Sequence, residues 1–212
     1  MRETEEARGL AAGLVSHGGL IAFRTDTFYG LGADPRNCNA VSRVADLKGR
    51  GDSKPILLLI SDAQKVLDYF AEESPLFVSV SERHWPGPLT LVGPARAGLP
   101  RELTGDTNTI GLRLPNGNDL RGLIRLCGGA LTATSANRAG EAPARTAAEV
   151  AGYFPMGLDL ILDGGEVEAA APSTVLELTE GSPRLIREGA VSRDEILETL
   201  RCIDYGINLL PC

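Results

Sequence analysis

Apolar residues recur at helical spacing over residues 4–17, where Ala7, Leu10, Ala11, Leu14 and Val15 share one face. Thr4 is placed to cap the start of this helix, and Gly18-Gly19 to end it. The run Gly19-Leu20-Ile21-Ala22-Phe23 predicts a strand over 19–24. Asn37 or Asn39 opens a second helix to about Leu47, with Val41, Val44 and Leu47 on one side. The uninterrupted apolar run over 55–60, PILLLI, predicts a strand buried on both faces. Helices are expected at 62–71 and 74–84, the second with Ser74 as cap and Pro75 in its first turn. Residues 85–93, WPGPLTLVG, break that helix and restart as a strand. Further strands are predicted over 109–114, 130–134, 158–162, 173–178 and 184–188, and helices over 118–127, 146–154 and 193–203. Thr146 with Glu149, and Ser192 with Glu195, have capping-box spacing.

Strands and helices mix without strict alternation, and a short return such as 163–173 suggests antiparallel neighbours. The pattern predicts an α+β (α/β-type mixed) fold, a twisted mixed parallel/antiparallel sheet with helices packed on it. A chain of 212 residues suits one domain with a substantial core. No run approaches the roughly 20 apolar residues that span a bilayer. The N-terminus MRETEEARGL lacks the apolar segment of a signal peptide, so a cytoplasmic location is expected. The net charge of −7 argues against strong nonspecific nucleic-acid binding over the whole surface, yet leaves room for one local cationic cavity. The four cysteines are widely spaced without a C-x-x-C, which predicts reduced structural thiols. Only two histidines occur, His17 and His84, far apart in sequence, which argues against a histidine-rich metal site or a Ser-His-Asp triad. His84 reads as part of a helix-ending turn or as an isolated acid–base group.

Candidate chemistry gathers at strand ends. The segment 24–35, RTDTFYGLGADP, sets Thr25, Asp26, Thr27 and Tyr29 after an apolar run. In strand geometry Thr25, Thr27 and Tyr29 point to one face and Asp26 to the other. Three hydroxyls on one face suit the polar groups of an amino acid, although T-D-T is also an ordinary strand-to-turn sequence. The loop after Leu47 holds Lys48, Arg50 and Lys54. Arginine grips phosphate oxygens as a fork and lysine supplies a compact charge. Equally, Lys48 falls where a cation favours a helix C-terminus. Thr109, Gly111 and Arg113 share one face of a strand whose other face is apolar. Arg113 needs a partner, because burying it unpaired is expensive. That partner is either a structural carboxylate such as Asp106 or a substrate carboxylate. Ser135-Ala136-Asn137 follows a strand and suits phosphate or ribose contacts, or ordinary Asx-turn chemistry. Ser173 and Arg187 sit at the ends of two further strands. The G-x-G-x-x-G and P-loop fingerprints are absent.

Taken in order, T-D-T-x-Y-G-L, K-x-R, W-P-G-P-L-T, the T-x-x-x-R-x-P of 109–115, T-S-A-N, P-S-T-V and L-I-R-x-G resemble the blocks of the YrdC-like family, the threonylcarbamoyl-adenylate synthases. The resemblance covers residues 10–190 or so and implies a YrdC-like domain over 1–190, with a C-terminal helix and tail over 191–212. It points to the compact branch, because nothing after 190 is long enough for the second domain that longer relatives append. Carried over residue by residue, it places Thr25, Tyr29, Arg113 and Ser173 on L-threonine. It places Lys48, Arg50, Lys54, Thr109, Ser135, Asn137 and Arg187 around ATP. Arg24, Gly51, Leu59 and Pro143 depart from the usual pattern.

The activity so implied combines L-threonine, bicarbonate or CO2 and ATP into threonylcarbamoyl-AMP and pyrophosphate, toward N6-threonylcarbamoyladenosine at position 37 of tRNA. Lys48 and Arg50 would then stabilise charge on the phosphates, with Mg2+ arriving on ATP and no dedicated protein metal site. A transfer-enzyme complex would receive the product. The alternative, similar to the YciO-like branch, is a non-synthase protein that binds RNA or a nucleotide in the same cavity. The acidic balance and the 5% aromatic content weigh against an RNA surface.

Overall fold

The computed structural model describes residues 1–49, 55–169, 171–179 and 182–203. Helix α1 (Glu5–Ser16) leads into β1 (Ile21–Arg24), β2 (Tyr29–Gly32), α2 (Cys38–Leu47) and β3 (Leu57–Ile60). A 3-10 turn (Ala63–Asp68) and α3 (Pro75–His84) follow, then β4 (Leu89–Pro94), α4 (Arg101–Thr104) and β5 (Thr109–Arg113). The rest is α5 (Asn118–Leu126), β6 (Ala130–Ser135), α6 (Ala147–Tyr153), β7 (Leu160–Ile161), β8 (Thr174–Glu177), β9 (Arg184–Arg187) and α7 (Arg193–Cys202). Among the described residues, no helix is long and apolar enough to cross a membrane.

Helix starts obey local chemistry. Thr4, Asn37 and Ser74 accept hydrogen bonds from the amides of Ala7 (3.2 Å), Ala40 (3.1 Å) and Phe77 (3.1 Å). Each such cap is worth about 1 kcal/mol. Both predicted capping boxes, at Thr146/Glu149 and Ser192/Glu195, close.

The nine strands form one mixed sheet in the order β7-β1-β2-β6-β3-β5-β4-β8-β9. The β3/β5, β4/β8 and β1/β7 pairs are parallel and the others antiparallel. Alternate strand residues supply two cores. Leu58, Ile60, Leu91, Ile110 and Leu112 face a large cluster with α2, α3, α6 and α7. Ile21, Phe23, Leu59, Leu131 and Ala133 pack with α1 and α5. Farther along this second face, β4 and β5 carry Thr90, Gly111 and Arg113, which leaves a polar floor beside the helix pair.

Several sequence expectations fail for physical reasons. Tyr29–Gly32 is a strand that the pattern of apolar residues does not predict. Gly32 is needed there because Phe23 fills the space beside it: a Cβ would meet Phe23 Cε1 at 2.6 Å. The helix expected at 62–71 is a six-residue 3-10 turn, and the single-turn α4 gave no periodic signal. The strand expected at 158–162 shortens to Leu160–Ile161. Leu10 is 47% exposed, because α1 buries only the narrow row Ala7, Ala11 and Val15. The return 163–173 does not join neighbours: β7 lies at one edge of the sheet, and β8 pairs with β4 and β9 near the other.

His84 ends α3 and meets α7 through Nε2 and Thr199 Oγ1 at 2.8 Å. The Thr199 hydroxyl donates to Glu195 O (2.9 Å), so it accepts from the imidazole. Burial, helped by the Arg83 charge, holds the His84 pKa below its ordinary value, against the opposing pull of Glu195. The folded protein thus favours the neutral ring, and the unfolded chain takes up the proton first as the pH falls. Stability from this group is full above about pH 6.5 and declines as the pH drops toward the lower folded value. Denaturant titrations at pH 7 and pH 5 should show this loss. His84→Gln, which still donates to Thr199 but does not titrate, should flatten that part of the slope.

Candidate functional site

The T-D-T-F-Y-G motif is the hairpin turn between β1 and β2. Thr25 Oγ1 accepts from the amides of Thr27 (3.1 Å) and Phe28 (3.2 Å) and donates to Phe28 O (2.6 Å). This local network competes with ladder pairing and turns the chain. The strand alternation expected for 25–29 therefore does not form. The hydroxyls of Thr25 and Thr27 do meet, at 3.2 Å. Tyr29 does not join them: its hydroxyl donates to Gly165 O (2.8 Å), lies 3.4 Å from Asp163 Oδ1, and accepts from the Gly164 amide (3.2 Å). Burial, together with the Asp163 charge, pushes the Tyr29 phenol up to about 12. In this structure Tyr29 ties β2 to the loop after β7.

Arg113 ends β5 and is 3% exposed. Its partner is Asp26, whose Oδ1 forms an ion pair with Nη2. Thr27 Oγ1 accepts from Nη1 at 3.3 Å. The structural carboxylate suggested by sequence proximity, Asp106, instead pairs with Arg101 at 2.9 Å. The hairpin turn thus reaches past β6 and β3 to a side chain 87 residues away from Asp26. Burial lowers the Arg113 pKa from its ordinary value; Asp26 opposes that and Arg187 adds to it. An arginine starts so high that it stays charged.

Ser173 precedes β8, and Arg187 ends the neighbouring β9. Arg187 donates to Ser173 O through Nε (3.1 Å) and Nη2 (2.8 Å), and Nη2 lies 3.2 Å from Ser173 Oγ. Thr90 Oγ1 lies 3.1 Å from Ser173 Oγ on the other side. Gly189 allows this close approach, since a Cβ there would stand 2.7 Å from the Ser173 carbonyl carbon. The Arg187 charge also lies near enough to Arg113 to oppose it.

Lys48 caps α2 by its backbone, as its position predicts, but its side chain is buried at 4% exposure. Its Nζ donates to Ser135 O (2.6 Å), Asn137 O (2.6 Å) and Asn137 Oδ1 (2.8 Å). Ser135 Oγ donates to Asn137 Oδ1 (2.6 Å), and Asn137 Nδ2 donates to Glu141 O (2.7 Å) and Arg138 O (3.0 Å). Lys48, Ser135 and Asn137 are thus one knot at the exit of β6. It adjoins the hairpin turn, because the Ala136 amide donates to Tyr29 O at 2.8 Å. Such a turn with a buried cation beneath it suits an anionic ligand.

Thr109 lies apart from the threonine candidates. Thr109 stands at the opposite end of β5 from Arg113, bonded to Thr107 Oγ1 at 2.7 Å. It lines a cavity of about 670 Å3 with Phe70, Phe77 and Pro94. Arg50, Gly51, Lys54 and the tail 204–212 lie outside the described residues. Sequence reading did not give Asp26 and Thr27 as the partners of Arg113, nor Thr90 as the partner of Ser173. The motif blocks contain all three, but no local spacing reports a contact across four strands. Among the described residues, no three His, Cys, Asp or Glu side chains gather as metal ligands.

Comparison with known proteins adds a second line. The Sua5_yciO_yrdC family model, with the description "Telomere recombination", matches residues 14–189. A threonylcarbamoyl-AMP synthase of Pyrococcus abyssi is 39% identical over 188 residues, covering 88% of this chain and 55% of that protein. One of Thiobacillus denitrificans is 37% identical over 184 residues, covering 85% of this chain and 97% of that protein. The crystal structure of P. abyssi Sua5 complexed with L-threonine superposes with a TM-score of 0.89 at 34% identity, over 100% of this chain and 64% of that one. The chain thus spans little more than half the length of the archaeal relative.

Two substitutions probe the site's framework. Lys48→Met strips the donor from two buried carbonyls and should destabilise the fold by about 2–4 kcal/mol. Tyr29→Phe keeps the ring and loses the bond to Gly165, so about 1 kcal/mol is expected. Chemical denaturation monitored by circular dichroism measures both.

Proposed function

The chain belongs to the Sua5/YciO/YrdC family, and on that premise we propose that it is an L-threonylcarbamoyladenylate synthase, a nucleotidyltransferase. Its substrates in this reading are L-threonine, bicarbonate or CO2, and ATP. The observation that carries it is a cluster in which Arg187 bonds Ser173, the Ser173 hydroxyl meets Thr90, and buried Arg113 on the neighbouring β5 lies within reach of the Arg187 charge. Asp26 is the one carboxylate paired with these cations among the described residues. A pair of cations with a single internal counter-charge accommodates an anion, and hydroxyls beside it accommodate the polar groups of a small amino acid.

Within this reading the α-carboxylate of threonine docks at Arg113 and Ser173. Thr25 spends its hydroxyl on the turn and so shapes the pocket, while Thr27 has hydrogen-bonding capacity left. Tyr29 supports the pocket from behind. The threonine amine adds to CO2 to form a carbamate, releasing a proton. A carbamate oxygen then attacks the α-phosphorus, the bond from that phosphorus to the bridging oxygen breaks, and pyrophosphate leaves. No protein nucleophile is needed; the chain supplies positioning and charge neutralisation. Lys48 holds the Ser135–Asn137 turn and places a positive charge beneath the nucleotide. Arg50, Lys54, Thr109 and Arg187 complete the proposed ATP contacts. Mg2+ arriving on ATP would supply further neutralisation of the phosphates, while the cations and hydroxyls of the site would hold the phosphates rather than the metal. The product would pass to a transfer enzyme that modifies tRNA, with any contact to RNA being local.

Pyrophosphate release from MgATP in bicarbonate tests the proposal, with L-threonine present, absent or replaced by L-serine. Threonine-dependent release is expected, falling by about 10²-fold or more in Lys48→Ala or Arg50→Ala protein that circular dichroism shows to be folded. A folded protein that releases none under any condition would favour a nucleotide- or RNA-binding role instead.

A further inference from the structure

We propose that Asp26 is the positioning residue of the site, fixing the Arg113 guanidinium so that Nε, its one nitrogen without a partner, is presented to a carboxylate ligand. Asp26 works from both oxygens. Oδ1 pairs with Arg113 Nη2, and Oδ2 accepts from the Asn116 amide (3.2 Å), just beyond the end of β5. Thr27 Oγ1 takes Nη1 (3.3 Å). The guanidinium is therefore held from two sides by one turn, and its plane cannot rotate without breaking at least one of these bonds. Nε is buried and has no hydrogen-bond partner. A buried donor left unsatisfied costs free energy, so a group that supplies an acceptor there gains more than an exposed site would give it.

The arrangement divides labour between the two arginines. Arg113 and Asp26 cancel in charge, so the pair contributes direction rather than net attraction. Net positive charge comes from Arg187, whose described bonds go to Ser173 and not to a carboxylate. A ligand carboxylate would accept from Arg113 Nε with fixed geometry and feel the field of Arg187. The rest of the ligand is then read by neutral hydroxyls. Asp26 itself does not touch the ligand in this scheme.

The proposal rests on the threonine-binding reading, and the test separates the two. In the ligand-free protein labelled with 15N, the Arg113 Nε–H should give a resolved, slowly exchanging signal, assigned by its disappearance in Arg113→Lys. Asp26→Asn keeps the size but not the charge. It should speed exchange of that proton by about tenfold or more, and Asp26→Glu should restore much of the protection. In pyrophosphate release, Asp26→Asn should raise the KM for threonine about tenfold while the KM for ATP stays within about twofold. A folded Asp26→Asn protein with an unchanged Nε signal would overturn the proposal, as would one in which both KM values rise together. If the unaltered protein shows the protected signal but no threonine-dependent turnover and no shift of that signal on adding L-threonine, the threonine reading fails. The clamp on Arg113 would stand in that case.

Discussion

A guanidinium buried at the end of an apolar strand constrains much of this molecule. Removing one partner from a buried ion pair costs about 3–5 kcal/mol, because the other charge is left uncompensated. Arg113 therefore requires the turn at 25–28 to fold over the sheet until Asp26 reaches it. That in turn requires β1 and β2 to form a hairpin tight enough to aim the turn. Thr25 supplies the tightness by closing three hydrogen bonds within four residues. The bend is thus encoded locally, but its purpose is a contact 87 residues distant.

The same economy governs Lys48. A lysine at a helix end would ordinarily extend into water, where it interacts weakly with the helix dipole. Here the side chain is drawn under the exit of β6, because the carbonyls of Ser135 and Asn137 turn inward and need donors. Two buried cations, Lys48 at the exit of β6 and Arg113 at the end of β5, are thus each held by polar groups at a strand end. Alternation along the strands makes this possible, since one set of residues fills the large core while the other is free to carry Thr90, Gly111 and Arg113.

Much of the architecture was legible in the chain itself. Caps at Thr4, Asn37, Ser74, Thr146 and Ser192 are local, so a residue type at the right offset predicts the bond. The mixed sheet followed from strands without alternation. Legibility ended where packing decided, as at Tyr29–Gly32, a strand in which Phe23 occupies the space that a side chain at Gly32 would need. It ended also at the return 163–173, because nothing local fixes which edge of a sheet a chain will reach.

For the site, the sequence determined which residue types were available and which strand ends would hold them. It grouped Lys48, Ser135 and Asn137 as one set through motif resemblance, and the fold joins them directly. Only tertiary structure decided the partners. Asp26 rather than Asp106 pairs with Arg113, Tyr29 turns its hydroxyl to Gly165, and Thr109 lies at the far end of β5 from Arg113. The physical reason is that a side chain's partner depends on strand order and twist, which arise from the whole core. Helix caps and turns depend on neighbours a few residues away, and those the chain carries with it.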